Sequence, residues 1–175
     1  CFNSNLLYHG CIPMTKEGEF EKVTLDGKVY WGKSYLEYID ALVRQAYFAP
    51  KGSKERHHAR DFLWYLWCGK KSPLFGKSKM ASFERYFIDD KSLSKEEMNP
   101  YYALVEHREI CEKLLREFGL SPENAHIING HVPVKIKQGE SPIKGGGLLF
   151  IIDGGMSKAY HSQTGIAGYT FIYNS

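Results

Sequence analysis

The sequence predicts an α+β fold (layered α/β), with helices in the middle of the chain and short buried strands near both ends. Apolar runs rich in isoleucine or leucine and bounded by glycine or histidine occur at 5–8, 126–128 and 147–152, and such runs are typical of buried strands. Apolar residues at helical spacing are concentrated between positions 34 and 119. We therefore expect the middle helices to be inserted between strands of one sheet.

Length and composition are those of an ordinary globular protein. The chain has 175 residues, of which 43% are hydrophobic and 25% are charged, with a formal net charge of +3. This charge is too small to indicate nucleic-acid binding by itself, and no apolar run approaches the roughly 20 residues that span a bilayer. The four cysteines show no metal-binding spacing, so we expect free thiols in a cytoplasmic protein.

The first elements are a strand and a hairpin. The chain begins at Cys1, directly before a strand-like run that needs neighbours in a sheet, so we expect it to be the C-terminal portion of a longer protein. Residues 15–32 then alternate polar and apolar side chains around 26–27, an Asp-Gly pair that favours a two-residue hairpin turn. Segments 23–25 and 29–31 are its predicted arms.

Three helices follow. Ser34 begins the first through a capping box with Glu37, Ser53 caps the second, which ends at Gly69, and the third spans about 102–118. The side chains predicted to face inward are Leu36, Ile39, Val43, Ala46 and Tyr47 in the first helix, Ala59, Phe62, Leu63 and Leu66 in the second, and Leu104, Cys111, Leu114, Leu115 and Phe118 in the third, with Trp64 and Trp67 as further core residues. A terminal strand is predicted over 167–173.

Two histidines lie in glycine turns directly after strand-like runs. His9 precedes Gly10 after the first run, and His131 follows Gly130 after the second. Because catalytic residues concentrate in loops that a rigid sheet holds, this pattern predicts a shared metal centre. Asp153, after the third run, is the only acid beside that site, and the alternative for it is a turn-capping role.

A basic loop lies between the second and third helices. Its sequence is G-K-K-S-P-L-F-G-K-S-K-M, followed by F-E-R-Y-F. Lysine and glycine in one loop suit a polyanionic ligand such as a phosphate ester. The alternative is a solvated lysine-rich surface loop.

These motifs together resemble a known family. The order Y-H-G-C-I-P, D-F-L-W, G-H-V-P and I-D-G-G resembles the C-terminal half of the calcineurin-like metallophosphoesterases. The longer segments W-Y-L-W-C-G-K-K-S-P-L-F-G-K, N-G-H-V-P-V-K-I-K-Q-G-E-S-P-I-K and I-D-G-G-M-S-K-A-Y-H are similar to the class III fructose-1,6-bisphosphatases of bacteria. This resemblance covers nearly the whole chain.

The resemblance implies a function and a domain organisation. The reaction would be hydrolysis of the 1-phosphate of fructose 1,6-bisphosphate to fructose 6-phosphate and phosphate, a step of gluconeogenesis. Residues 1–175 would be the C-terminal part of one metallophosphatase catalytic domain, a β-sandwich flanked by helices, with a helical insert at about 34–119. The family's D-x-H, G-D-x-x-D and G-N-H motifs have no counterpart here and would lie upstream of Cys1.

The resemblance also implies a site. His9 and His131 would be ligands of manganese, as part of a centre of two ions about 3.5–4 Å apart that activates a water. Cationic side chains would neutralise the phosphoryl oxygens. The candidates for substrate binding are Lys77, Arg85, Lys135, Lys144 and Lys158. The implied partners are a sugar bisphosphate, the missing N-terminal part of the same protein and further copies in a homo-oligomer, without nucleic acid or membrane.

Two alternatives stay open at this point. The same fold would also suit a phosphatase that acts on phosphoproteins or dinucleoside polyphosphates. A non-catalytic module that binds sugar phosphates or assembles subunits is the other alternative, because this chain lacks the carboxylates of a hydrolytic site. For the same reason, the 175-residue piece alone is expected to bind metal weakly and to be inactive.

Overall fold

The structure is a computed structural model that describes residues 1–155, 157–158, 161–165 and 168–172. It confirms the α+β class. The strands in this part of the chain are Leu6–Tyr8 (β1), Val23–Leu25 (β2), Lys28–Tyr30 (β3), Ile127–Asn129 (β4), Ile143–Lys144 (β5) and Leu149–Ile151 (β6). The helices are Gly32–Phe48 (α1), Lys54–Cys68 (α2), Ser82–Phe87 (α3), Tyr101–Leu104 (α4), Arg108–Glu117 (α5) and His161–Thr164 (α6), with 3-10 helices at Ile136–Gln138 and Gly145–Gly147.

The chain forms two compact units. The sheet unit comprises Cys1–Gly10 with Tyr102–Ser175, and the helical unit comprises Cys11–Tyr101. The helical insert at about 34–119 and its place within one catalytic domain stay predictions.

Parallel strands organise the sheet unit. The four strands lie in the order β1-β4-β6-β5, in which β1, β4 and β6 are parallel and β5 is antiparallel to β6. Tyr8 is paired with Asn129, and Asn129 with Ile151, so all three parallel strands end at the same level. The loops that follow them therefore lie at one edge of the sheet. All three predicted strands are confirmed, whereas β5 was not predicted.

The helical unit has one hydrophobic core between the hairpin and the first two helices. Asp26 and Gly27 both have positive φ (48° and 76°), as the two central residues of a type I′ hairpin turn require. The buried members of this core are Val23, Tyr35, Ile39, Leu42, Ala46, Ala59, Phe62 and Leu66. Tyr30, paired with Val23, packs against it, whereas Val29 and Trp31 are exposed.

The buried face of α1 differs from the prediction. Ile39 and Ala46 are buried as expected, but Val43 and Tyr47 are exposed, and Leu42 takes the inward position. Val43 follows Leu42 by one residue, which is a rotation of about 100° around a helix. The packing against α2, which only the tertiary structure shows, decides between these two faces.

The prediction that both tryptophans of α2 are core residues is wrong. Trp64 and Trp67 are 65% and 61% exposed, and their rings contact each other in a T-shaped pair. Leu63 is also partly exposed. The buried residues Ala59, Phe62 and Leu66 form a narrow stripe, because α1 and the hairpin cover only one side of this helix.

The predicted start of α2 is confirmed, whereas the predicted start of α1 at Ser34 is wrong. Ser53 is the cap of α2, and its hydroxyl accepts a hydrogen bond from the Arg56 amide at 3.2 Å. Helix α1 begins at Gly32, two residues before Ser34. The Ser34 hydroxyl accepts from the Trp31 amide at 3.2 Å and donates to the Trp31 carbonyl at 2.8 Å, so Ser34 holds the turn that precedes it.

The predicted third helix is two helices, α4 and α5, separated by residues 105–107. Val105 is buried in this break, and its carbonyl accepts from the Cys111 thiol at 3.4 Å. Cys111, Leu114 and Leu115 are buried on α5 as predicted. Burial raises the pKa of the Cys111 thiol to about 12.

Three further expectations concern the ends and the surface. Part of the predicted strand over 167–173 lies outside the described residues, and within 168–172 only Gly168 forms a bridge, to Asp153. All four cysteines, which the structure describes, are free thiols, as predicted. In the described part of the chain, no helix has the length and apolar character to cross a membrane.

Gly145 lies close to Cys111 of α5, and this close contact predicts a stability effect. Its φ is +57°, and an added Cβ would overlap Cys111 Sγ and lie 3.0 Å from Cys111 Cβ. Gly145→Ala is therefore expected to lower the free energy of unfolding by about 3 kcal/mol, from backbone strain and overpacking together. Urea denaturation measures this loss.

Gly119→Ala is the matched control, because Gly119 also has positive φ (+75°) but nothing lies within 4 Å of an added Cβ. It is expected to cost only about 1 kcal/mol. Equal losses in the two variants would contradict the overlap with Cys111.

Candidate metal centre

The site lies where three parallel strands of the sheet unit end. His9 follows β1, His131 follows β4 after Gly130, and Asp153 follows β6. The Gly130 amide donates to the His9 carbonyl at 3.3 Å, which continues the pairing of β1 and β4 beyond the strands. The structure thus brings together the three residues of the predicted site.

Asn129 connects the two histidine turns. Its side chain is buried (4% exposed), and Nδ2 donates to the Gly10 carbonyl at 2.7 Å. A buried amide that binds a backbone carbonyl is costly to lose, because the carbonyl is then left without a partner. Asn129 therefore positions the turn of His9 against β4. The sequence analysis missed this residue, although a polar side chain at the end of an apolar strand was a usable signal.

The two imidazole rings face each other. His131 Nδ1 lies 3.1 Å from His9 Nε2, with ring centroids 4.9 Å apart and an interplanar angle of 75°. His131 has φ of +73°, a left-handed conformation that is uncommon outside glycine and often marks functional sites. The backbone conformation of His131 therefore shapes the turn from which its side chain faces His9.

The donor set of this pair fits one divalent ion. Bonds of about 2.0–2.1 Å, as zinc forms to histidine nitrogens, place two ligand nitrogens about 3 Å apart when they meet at a right angle, close to the observed 3.1 Å. Imidazole nitrogens are common ligands of divalent transition metals. Among the described residues, no group of three or more histidine, cysteine, aspartate or glutamate side chains is placed to hold a metal ion.

Two cavities adjoin the histidine pair. The first, about 470 Å³, is lined by His9, His131, Asp153 and Tyr169, among others. The second, about 730 Å³, is lined by His131, Asp153, Lys135 and residues of the following 3-10 helix and α6. His131 and Asp153 belong to both walls, so the two cavities meet at these residues.

Asp153 caps its own turn. Its Oδ1 accepts a hydrogen bond from the Gly155 amide at 2.8 Å, and its backbone carbonyl accepts from the Val134 amide at 2.9 Å. The turn-capping alternative for Asp153 is therefore confirmed for one carboxylate oxygen. The same contacts hold the loop after β4 against the loop after β6.

Comparison with known proteins places the chain in a family. The family model for Firmicute fructose-1,6-bisphosphatase matches residues 1–175.

The chain belongs to this family. Curated relatives named fructose-1,6-bisphosphatase class 3 are 56% identical to it in Fusobacterium nucleatum, Clostridium botulinum and Bacteroides fragilis. Each alignment covers 99% of this chain but only 26–27% of the relative. The chain thus spans about a quarter of the length of these relatives. No solved structure matches it significantly. The family resemblance stated from the sequence motifs is confirmed.

The cations predicted from the family resemblance lie in different environments. Lys135, at the cavity wall, and Lys158 are exposed in the sheet unit. Lys77 and Arg85, in the helical unit, share the carboxylate of Glu96, at 2.8 and 3.3 Å. The hydrogen bond from Lys77 and the amide of Ala81 lower the Glu96 pKa despite some desolvation. Their phosphate-binding roles stay predictions.

Lys144 is the buried member of the predicted set. Its ammonium group donates to Glu106 and, at 2.8 Å, to Glu140, while the Lys135 amide donates to the other oxygen of Glu140 at 2.8 Å. Glu140 thus links Lys135, in the loop after β4, to Lys144 in β5. The i,i+4 spacing of Glu140 and Lys144 was a sequence signal for this pair, but Glu140 was not singled out. Whether Lys144 contacts a phosphate stays a prediction.

The pKa values of Glu140 and Lys144 are shifted in opposite directions. Burial raises the pKa of Glu140, but the hydrogen bonds from Lys144 and the Lys135 amide outweigh it, and the net shift is downward. Burial lowers the pKa of Lys144, but hydrogen bonds to Glu106 and Glu140 outweigh it, and the net shift is upward. Both shifts favour the charged pair in the folded state.

A pH-dependent stability loss is expected for Lys144→Met. Its cost, about 2 kcal/mol in the free energy of unfolding, is expected between roughly pH 5 and 9, where both groups are charged. The Glu140 pKa is lowered on folding, so its contribution is present above the unfolded pKa of about 4.3 and is lost as pH falls through the folded value. The Lys144 pKa is raised on folding, so its contribution is complete below the unfolded pKa of about 10.4 and is lost as pH rises through the higher folded value.

Urea denaturation at a series of pH values measures this difference. Lys158→Met, at an exposed lysine of the same unit, is the control and is expected to change stability little. A difference between wild type and Lys144→Met that stays constant down to pH 3 would contradict the charged pair.

Proposed function

We propose that the full-length protein hydrolyses the 1-phosphate of fructose 1,6-bisphosphate, giving fructose 6-phosphate and phosphate. The main support is the pair of facing imidazoles of His9 and His131, in a chain 56% identical to proteins named fructose-1,6-bisphosphatase class 3. The manganese requirement, the gluconeogenic role, a cytoplasmic location and homo-oligomer formation belong to this proposal. The relatives are about four times as long as this chain, and the motifs absent here would come from the rest of such a longer protein.

His9 and His131 would hold a manganese ion through Nε2 and Nδ1. The 3.1 Å between these two nitrogens suits two ligands of one ion. Metal ions in such a two-ion centre supply Lewis-acid polarisation of a phosphoryl oxygen and a nucleophilic water at neutral pH. The acidic ligands would come from the upstream part of the protein.

The chain's own residues would orient the substrate beside that centre. Lys135 lies on the wall of the 730 Å³ cavity, four residues after His131. An ammonium group there would neutralise negative charge on a phosphoryl oxygen. Glu140 would keep the loop that bears Lys135 in place through the Lys135 amide.

Loss of the His131 imidazole is expected to abolish phosphate release. In the full-length protein, His131→Asn should reduce kcat/KM for fructose 1,6-bisphosphate by more than the roughly 10–100-fold that outer-shell changes cost at metal sites. Asparagine tolerates the left-handed backbone of residue 131, so this variant is expected to fold. Phosphate release and bound manganese are measured together.

His57→Ala, at an exposed histidine of α2, is the control and should leave both quantities unchanged. Unchanged activity in His131→Asn would contradict the metal-ligand role. Activity of the wild type on a phosphopeptide or a dinucleoside polyphosphate, without release from fructose 1,6-bisphosphate, would replace the substrate and keep the fold.

The 175-residue chain by itself is expected to bind manganese weakly and to release no phosphate from fructose 1,6-bisphosphate. Two imidazoles give too few ligands for a hydrolytic centre, which normally includes carboxylates. Calorimetric titration with manganese and a phosphate assay test this. Turnover above background by the purified chain would contradict it.

A further inference from the structure

Asp153 stands at the junction of the two cavities of the sheet unit. Both cavities are lined by His131 and Asp153, whereas His9 lines only the smaller one and Lys135 only the larger one. A ligand that extends from His9 to Lys135 would therefore lie against the wall that His131 and Asp153 share. At one end, Lys135 attracts anions, and at the other the metal ion that the histidine pair is proposed to hold would do so, whereas Asp153 between them offers a hydrogen-bond acceptor.

The two oxygens of this carboxylate have different surroundings. Oδ1 accepts from the Gly155 amide at 2.8 Å, and this contact orients the side chain. Within the described part of the chain, Oδ2 accepts no hydrogen bond, and the carboxylate forms no ion pair. Asp153 is half-buried and lines both cavities, and its second oxygen keeps the capacity to accept a hydrogen bond.

The chemistry of a carboxylate oxygen selects the ligand group at this position. It accepts a hydrogen bond from a hydroxyl, and such a charge-assisted bond is stronger than a neutral one. It repels a phosphate group, because both are anionic. The path therefore fits a ligand with anionic ends and hydroxyl groups between them.

We propose that Asp153 is a specificity-determining residue whose Oδ2 accepts a hydrogen bond from a hydroxyl of a sugar bisphosphate lying between the histidine pair and Lys135. This inference rests on the proposed function. The same carboxylate excludes ligands that carry phosphates along the whole path, such as a polyphosphate chain. Attraction of one class and repulsion of another together give selectivity.

The test compares two substrates in the full-length protein. Fructose 1,6-bisphosphate and hexane-1,6-diyl bisphosphate both have two terminal phosphates, but the second lacks hydroxyls. Asp153→Asn keeps an acceptor for the Gly155 amide and replaces the second oxygen with a donor. We expect kcat/KM for the sugar bisphosphate to fall about tenfold relative to that for the hexanediyl compound, because sites that bind a hydroxyl discriminate strongly.

A second readout has the opposite sign. Inhibition by inorganic tripolyphosphate, measured at saturating manganese, should become stronger in Asp153→Asn, because the repelling charge is removed. A residue that only supports the fold would weaken every ligand together. Asp153→Ser, which also caps a turn, should show the same two changes if the asparagine variant folds poorly.

Asp90→Asn is the matched control. Asp90 Oδ1 accepts from the amide two residues on, Ser92, at 2.9 Å, in the same turn geometry, but Asp90 is exposed in the helical unit. This variant should leave the substrate ratio and the inhibition unchanged.

The possible outcomes distinguish the role of Asp153 from the proposed hydrolysis of fructose 1,6-bisphosphate. A lower substrate ratio with stronger tripolyphosphate inhibition supports the role of Asp153. Equal losses for both substrates, no change in the ratio, or loss of bound manganese in Asp153→Asn would overturn it and leave the proposed function intact. Failure of the wild type to hydrolyse fructose 1,6-bisphosphate would overturn the proposed function, and this inference with it.

Discussion

The register of three parallel strands is the constraint on which the rest of the sheet unit depends. Leu6, Ile127 and Leu149 are paired across β1, β4 and β6, and the strands end together two residues later. A slip of one residue would move His9 by about 3.3 Å and turn its strand's side chains to the opposite face. The position of the facing imidazoles thus depends on the pairing of apolar residues in the strands that precede the two histidine turns.

Buried polar contacts complement this register. Asn129 joins the turn of His9 to β4, and Glu140 joins the loop after β4, through the Lys135 amide, to Lys144 on β5. Each contact pairs a polar group whose burial would otherwise be unfavourable, which is how polar networks select one loop arrangement over others. The catalytic proposal and the specificity proposal both require loops held in this way, because small displacements of reacting groups are costly.

In the helical unit, the hydrophobic pattern predicts the helices but not which face of each helix is buried. Its core is a single cluster between the hairpin, α1 and α2, and it leaves Trp64 and Trp67 exposed. Their sequence neighbourhood is apolar, so composition alone favoured burial. Only one side of α2 has a packing partner within this unit, and that side decides which aromatic residues are covered.

The sequence by itself determined the features that depend on neighbouring residues. The Asp26-Gly27 turn, the Ser53 cap, the three strand-like runs and the glycine turns beside His9 and His131 follow from local backbone and hydrogen-bonding preferences. The tertiary structure alone decided that these histidines, 122 residues apart, lie with ring nitrogens at 3.1 Å, and which face of each helix is buried. Strand register and helix packing are long-range interactions, so no local pattern specifies them.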